Sequence, residues 1–460
     1  MSNMVEGPRL SLKRTGDPRL PVYYASVVSL IASIFQGYIF SIGINITVFM
    51  LCLAATFRYI RISVFIRRAF AAGCLALILV QAISLSWAFD PMIGVKDVSF
   101  SLAFAAVLGL LLTLAEDSPE QLLRAARIYC AIALAQSLMV ICFRLLPSVE
   151  AAFWASPLGR LCISPGALIQ DGGLENTNVT DPAKAGGVLL AANQAGAWSG
   201  SLGFMTLAVY DRGDRRRRWI AAIHFVAMAC SGSKASLGIA VGLSSILCLG
   251  WLFFSRADAR VRALIWCLLL LLLLSVVLFG AASISPMSYE SNSKVALESR
   301  TIMWSFAQQV FLANIWTGLG YGGWHEQFYR VGEAARSSGV NGNLAPHNLF
   351  LDLWVNNGLI AVCVAVYVIA AAYGTIIRGA GQNGSRTIFL VASLSFYLFQ
   401  SLGENYVLFG VVYISPILAL TVALGAIRSS SVGAPMTEYT VRVPNRSTRL
   451  RIPAVARRKA

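Results

Sequence analysis

The strongest constraint on this chain is a series of continuous apolar runs, each about 20 residues long. In lipid a backbone must satisfy its own N–H and C=O groups, and only helices and closed barrels do so. Barrel strands would alternate apolar and polar residues, and these runs do not alternate. They predict twelve spanning helices, at residues 22–40, 42–57, 69–88, 98–115, 128–146, 185–210, 219–231, 235–254, 263–282, 358–377, 387–402 and 407–427. Two divisions rest on little. Residues 21–57 have few polar breaks, and only Ser231-Gly232-Ser233-Lys234 divides 219–254. Composition excludes the soluble alternative of about three domains of roughly 150 residues each. Hydrophobic residues make up 57% of the 460 and charged residues 13%, against about 25% charge in a soluble chain. The fold class is all-α, a polytopic integral membrane protein.

The formal net charge is +16, from 37 Lys+Arg and 21 Asp+Glu. In a soluble protein that excess would suggest nucleic acid. Here it follows the connections between runs. With a cytoplasmic amino terminus, 28 of the 37 Lys+Arg fall on the inside and 9 on the outside, the asymmetry that the positive-inside rule predicts. Merging either weakly divided pair would put basic loops on the wrong side. Both termini are then cytoplasmic. The run Arg215, Arg216, Arg217 and Arg218 is a topology signal with some lipid contact, and no nucleic-acid partner is expected.

The basic stretch before Val22 lacks a small-residue cleavage site after it and does not resemble a signal peptide. The organisation expected is a basic amino terminus (1–20), a transmembrane domain (21–428) and a basic, disordered tail (429–460). Of nine cysteines, Cys162 alone lies in an outer loop, so no disulfide framework and no metal site is expected. Two outer loops, 147–184 and 284–346, exceed the usual connection of roughly 2–8 residues. Trp304, Trp316, Tyr321, Trp324, Phe328 and Tyr329 mark the second as folded.

Ionisable residues at a membrane edge are costly and functional by default. Three fall on the outer face. Lys234 sits at the turn between two spans, Arg300 early in the large loop, and His347 where the chain enters the tenth span. Pro346 suits the first helical position, which would put His347 in the first turn. There the helix dipole disfavours a cationic imidazole, and a neutral one can act as general base. The bland reading is a capping histidine. Lys234 and Arg300 could clamp a diphosphate, or snorkel as anchors. Asn348 and Asp352 share a helix face and could support His347 or join helices. Gly318-Leu-Gly320-Tyr-Gly322-Gly323 fits a dinucleotide pattern, but no βαβ unit surrounds it, and tight turns are the expected role. His224, in an apolar run, reads as a satisfied core residue.

Taken together, these motifs resemble the O-antigen ligase and polysaccharide polymerase superfamily. The segment Pro346-His-Asn-Leu-Phe-Leu-Asp-Leu-Trp-Val-Asn-Asn-Gly-Leu-Ile360 is similar to the family's His-Asn segment and following Gly-Leu-Ile span. Arg300-Thr-Ile-Met-Trp304 with Trp316-Thr-Gly-Leu-Gly320 resembles its Arg, Trp and Gly-x-Gly loop. Ala192-Asn193-Gln194 and Ser231-Gly-Ser-Lys-Ala235 resemble two further pieces. The resemblance implies a GT-C-like fold of about twelve transmembrane helices with a large periplasmic loop, in the bacterial inner membrane. It implies a metal-independent, inverting glycosyltransferase without cofactor. The donor would be an undecaprenyl-diphosphate-linked oligosaccharide, and the acceptor a saccharide or the lipid A core. Membrane lipids and other polysaccharide-assembly proteins would be its surroundings. By position, Lys234 and Arg300 would hold the diphosphate, and His347 would take the acceptor's proton. Asn348, Asp352 and Asn193 would support them. Lys234 stands where the family usually has Arg, and Asn356 where many members have Glu.

Polymerisation of exopolysaccharide or O-antigen repeat units is the reading favoured, with ligation to lipid A core as the alternative. A lipid-linked saccharide transporter would show paired inverted repeats and charges along the spans, and neither is evident. A non-enzymatic assembly scaffold would tolerate loss of His347.

Overall fold

The computed structural model describes residues 19–34, 38–42, 44–162, 183–254, 286–324, 347–379, 384–403, 409 and 415–427. The expected span 263–282 and the basic tail lie outside these residues. The chain begins with α1 (Arg19–Ile34), a ribbon of β1 (Tyr38–Ile42) and β2 (Ile44–Thr47), and α2 (Val48–Thr56). There follow α3 (Ile62–Ile66), α4 (Ala69–Ser84), α5 (Pro91–Asp117), α6 (Pro119–Ile132), α7 (Leu134–Leu145), α8 (Pro147–Ala155) and α9 (Pro157–Leu161). After these come α10 (Ala192–Val209), α11 (Arg215–Cys230), α12 (Lys234–Phe254), α13 (Pro286–Ala313), α14 (Leu349–Arg378), α15 (Gly384–Ser401) and α16 (Ser415–Gly425).

Helix starts follow local chemistry. Asp90 caps α5 through the Met92 amide, with Pro91 in the first turn. Asp214 caps α11 through the Arg216 amide. The antiparallel ribbon corrects the first two expected spans, since Tyr38 pairs with Thr47 and Ile42 with Ile44 across what was read as two helix ends. Ile, Phe, Tyr and Thr around Gly43 favour a strand pair there over continued helix. The division at 231–234 is observed, between α11 and α12.

Four stretches are long and apolar enough to cross a membrane: Ala69–Trp87, Pro91–Asp117, Pro119–Leu145 and Leu349–Arg378. Among the described residues, other expected spans form shorter helices. On α4, Leu75, Leu79 and Ile83 recur every fourth residue and are exposed, while Phe70, Cys74 and Leu77 are buried. An exposed apolar stripe of this kind suits a lipid-facing surface, as in a multi-pass membrane protein.

The core forms around α10, which is buried along most of its length. Gly196, Gly200 and Gly203 let neighbours approach closely. A Cβ at Gly200 would fall 2.3 Å from Phe396 on α15, and one at Gly203 2.7 Å from Phe225 on α11. Small residues at such crossings are how membrane helices pack. Phe104 on α5 stacks on Phe409 with ring centroids 4.4 Å apart. His224 lies in this core as expected, with Nδ1 2.8 Å from the Ser137 hydroxyl and Nε2 3.2 Å from the Cys130 carbonyl.

The bundle has two chemically distinct ends. Arg61 pairs with Asp117, and Arg67 and Arg68 with Glu116, where α5 ends and α6 starts, and Arg127 further along α6 pairs with Asp211 just after α10. The sites discussed next gather at the opposite end.

Candidate functional site

Three turns lie toward that end. The first joins α11 to α12. Gly232 takes φ 76°, and the Ser231 carbonyl accepts from the Ala185 amide at 3.1 Å. The Ser236 hydroxyl lies 2.9 Å from Ser233 Oγ and 3.3 Å from Gln400 Oε1. Lys234 is the first residue of α12 and is exposed. A Cβ on Gly196 would meet Ser236, Ser231 and Ser233. Asn193, one turn earlier on α10, therefore stands near the level of Lys234.

The second turn opens α14, and here the expectation for His347 is corrected. The helix begins at Leu349 and Asn348 is its N-cap, so His347 stands one residue outside the first turn, with φ 48°. Asn348 Oδ1 accepts from the Phe350 and Leu351 amides at 3.0 and 3.2 Å. A side-chain cap of this kind outweighs the preference of Pro346 for the first helical position. Asn348 Nδ2 donates to the Leu402 carbonyl at 3.1 Å. The end of α15 is thus a bridge: Gln400 touches the Lys234 turn, and Leu402 holds the residue next to His347.

That contact requires α14 to fold back. Tyr373 on α14 and Ser395 on α15 are hydrogen-bonded at 2.8 Å. At about 1.5 Å per residue, a straight helix would carry residue 348 roughly 37 Å beyond Tyr373, while Leu402 lies only about 10 Å beyond Ser395. Gly358 resolves the mismatch, with φ 76° and ψ −177° inside α14. It breaks the helix and turns residues 349–357 back toward the bundle.

The third turn fills this break. The Leu319 amide donates to the Val355 carbonyl at 2.7 Å, and the Leu359 amide to the Ile315 carbonyl at 2.9 Å. The backbone groups freed at Gly358 are therefore satisfied by the loop after α13, as irregular backbone inside a membrane protein requires. Gly318, Gly320 and Gly322 all have positive φ, so the glycines serve turns, as the sequence suggested. The loop is locked on its far side as well. The Tyr321 amide donates to Ser84 Oγ at 3.2 Å, Asn357 Nδ2 donates to the same oxygen at 2.7 Å, and the Trp87 indole donates to the Thr317 carbonyl at 3.3 Å.

Arg300 lies on α13. The far end of this helix packs against α14, with Phe311 on Trp354 and the Ile315 carbonyl accepting from the Leu359 amide. Asp352 is placed differently from Asn348. Its Oδ1 accepts from Asn356 Nδ2 at 3.2 Å, and Asn356 Oδ1 accepts from the Trp324 amide at 3.1 Å. Asp352 and Asp97 both lie within electrostatic reach of buried Tyr321. Asp352 therefore belongs to the locked loop.

Several participants were not singled out from sequence: Gln400, Leu402, Ser84, Asp97 and Gly358. Glu150 on α8 is another. Burial pushes its carboxyl above the usual range, opposed by the Gly186 amide and the Trp154 indole beside it. The one available signal was Gly358 itself, a glycine at the head of the expected span 358–377.

No curated protein matches the chain. Residues 219–366, which carry the Lys234 turn, Arg300, the glycine loop, His347 and the break in α14, match the O-antigen ligase family model, a match that supports the O-antigen ligase superfamily for this chain.

Proposed function

We propose that this protein transfers a saccharide from an undecaprenyl-diphosphate carrier to an acceptor sugar hydroxyl at the periplasmic face of the inner membrane, polymerising exopolysaccharide or O-antigen repeat units. The family to which residues 219–366 are matched supports ligase- or polymerase-like activity on lipid-linked saccharides. The observation that carries the finer reading is the bridge made by Gln400 and Leu402 between the Lys234 turn and the His347 turn.

In this reading the acceptor oxygen attacks the anomeric carbon from the face opposite the diphosphate, giving inversion. The glycosidic bond forms as the bond to the diphosphate oxygen breaks. His347 takes the hydroxyl proton. The leaving diphosphate keeps the bonding electrons, and Lys234 and Arg300 offset the charge it develops without a metal ion. Asn348 fixes the turn that carries His347, and Asn193 and Asp352 support the two sides. A positive φ at a residue other than glycine costs on the order of 1–3 kcal/mol and collects at functional sites, which fits the backbone at His347.

Purified protein with an undecaprenyl-diphosphate oligosaccharide and no added core should produce a polymer ladder. His347→Ala and Arg300→Ala should abolish it at normal protein level, and a ladder unchanged in both would overturn the reading. The family description, O-antigen ligase, supports a second reading, in which the acceptor is the lipid A core. Product formed only when core is added would assign ligation instead.

A further inference from the structure

The opposite end of the bundle holds a cluster that glycosyl transfer leaves unused. Arg127 on α6 is engaged, its Nε donating to the Val209 carbonyl at 2.8 Å and its Nη2 to Asp211 at 3.2 Å. Arg217, in the first turn of α11, sets its guanidinium 5.3 Å from the centroid of Phe389 on α15. Arg386 lies one turn before Phe389 and within electrostatic reach of Arg127 and Asp211. Three buried N–H positions here, Nε of Arg217 and Nε and Nη2 of Arg386, meet no acceptor among the described residues. The nearby carboxylates are Asp211, which pairs with Arg127 and lies within electrostatic reach of Arg217 and Arg386 without hydrogen-bonding either, and Asp214, which pairs with Arg216.

Guanidinium N–H groups shielded from water without an acceptor, two on Arg386 and one on the more exposed Arg217, are unfavourable. Their complement is an oxyanion with several lone pairs, and the planar fork of arginine fits phosphate. The surroundings indicate where that phosphate comes from. Trp219 is 71% exposed two residues after Arg217, and Ile388 is 49% exposed two residues after Arg386. An exposed tryptophan beside arginines is the pattern of a headgroup-level boundary, and basic pockets between membrane helices accept anionic headgroups.

We propose that Arg217 and Arg386 form a binding site for the phosphate of an anionic phospholipid, between α11 and α15. The test uses the full chain in detergent, its thermal midpoint being followed as phosphatidylglycerol, phosphatidylcholine or inorganic phosphate is added. Phosphatidylglycerol should raise the midpoint saturably and phosphatidylcholine should not. Arg386→Gln should raise the half-saturating concentration about tenfold, as loss of a charge-assisted hydrogen bond implies. Arg217→Gln, nearer the surface, should act the same way and serves if Arg386→Gln does not fold. Arg215→Gln, exposed and outside the cluster, should leave the response intact. An equal response to phosphatidylglycerol in wild type and both cluster variants overturns the site. A response to inorganic phosphate matching that to phosphatidylglycerol overturns the lipid assignment.

Discussion

At the scale of single residues, the side chains around His347 divide into those that hold the turn and those proposed to act on substrate. Asn348 does two jobs, capping α14 and reaching Leu402. Asn348→Ala removes both. The cap alone is worth about 1 kcal/mol, so the variant should fold with a slightly lower melting point while polymer output falls sharply. Output at the wild-type level would separate Asn348 from the site. Ser137→Ala is the contrasting case. It strips His224 Nδ1 of its partner in the core, costing about 1–3 kcal/mol, and should lower the melting point with activity per folded molecule unchanged. Glu150 adds a pH dependence. Its folded carboxyl holds a proton more tightly than the unfolded one, so its contribution favours folding below the ordinary carboxylate range near about 4.3 and fades as pH rises through the raised value. Glu150→Gln should therefore flatten the fall in melting point between acidic and neutral pH. His347, Arg300 and Lys234 stand out in the sequence as candidates because charge at a membrane edge is rare. The position of His347 outside the helix was not, because Pro346 and Asn348 compete for the same start and a short motif does not show which wins.

At the scale of elements, the break in α14 decides the geometry. A Cβ at Gly358 would lie 2.0 Å from the Trp316 carbonyl oxygen, on a backbone at φ 76°. Gly358→Ala meets both the clash and the unfavourable φ, and should expel the glycine loop from the break. The expected result is loss of polymer formation with new protease sensitivity in the loop after α13. Wild-type activity in this variant would show that the fold-back is dispensable. Trp87→Phe tests the same dock more gently. It removes the indole bond to Thr317, worth about 1 kcal/mol, and should leave activity largely intact. The sequence made the glycines readable as turns. It did not show what the turns dock into, since Val355, Leu359, Ser84 and Asn357 are distant along the chain and contact the loop through backbone atoms and small polar groups that carry no periodic signal. The β ribbon was hidden for a related reason: a strand pair and a helix pair are both continuously apolar over so short a run.

At the scale of the whole molecule, the apolar runs and the arginine asymmetry described a membrane protein with two unlike faces, and the bundle has two unlike ends. Arg61, Arg127, Arg216 and Arg386 mark one; Lys234, Asn348 and the docked loop mark the other. If positive charge sets orientation, the first faces the cytoplasm. The prediction is direct. In a background with the native cysteines replaced, Trp316→Cys, 66% exposed beside the loop, should react with a membrane-impermeant maleimide in cells whose outer membrane is permeabilised. Arg216→Cys, exposed at the other end, should react only after the inner membrane is opened. The reverse pattern would turn the protein over in the membrane, move the proposed diphosphate clamp to the cytoplasmic face and remove the periplasmic reaction. Labelling of both in closed cells would mean that the chain between Arg216 and Trp316, α11 and α12 included, does not end on the opposite side of the bilayer, and the two-ended arrangement would fail with it.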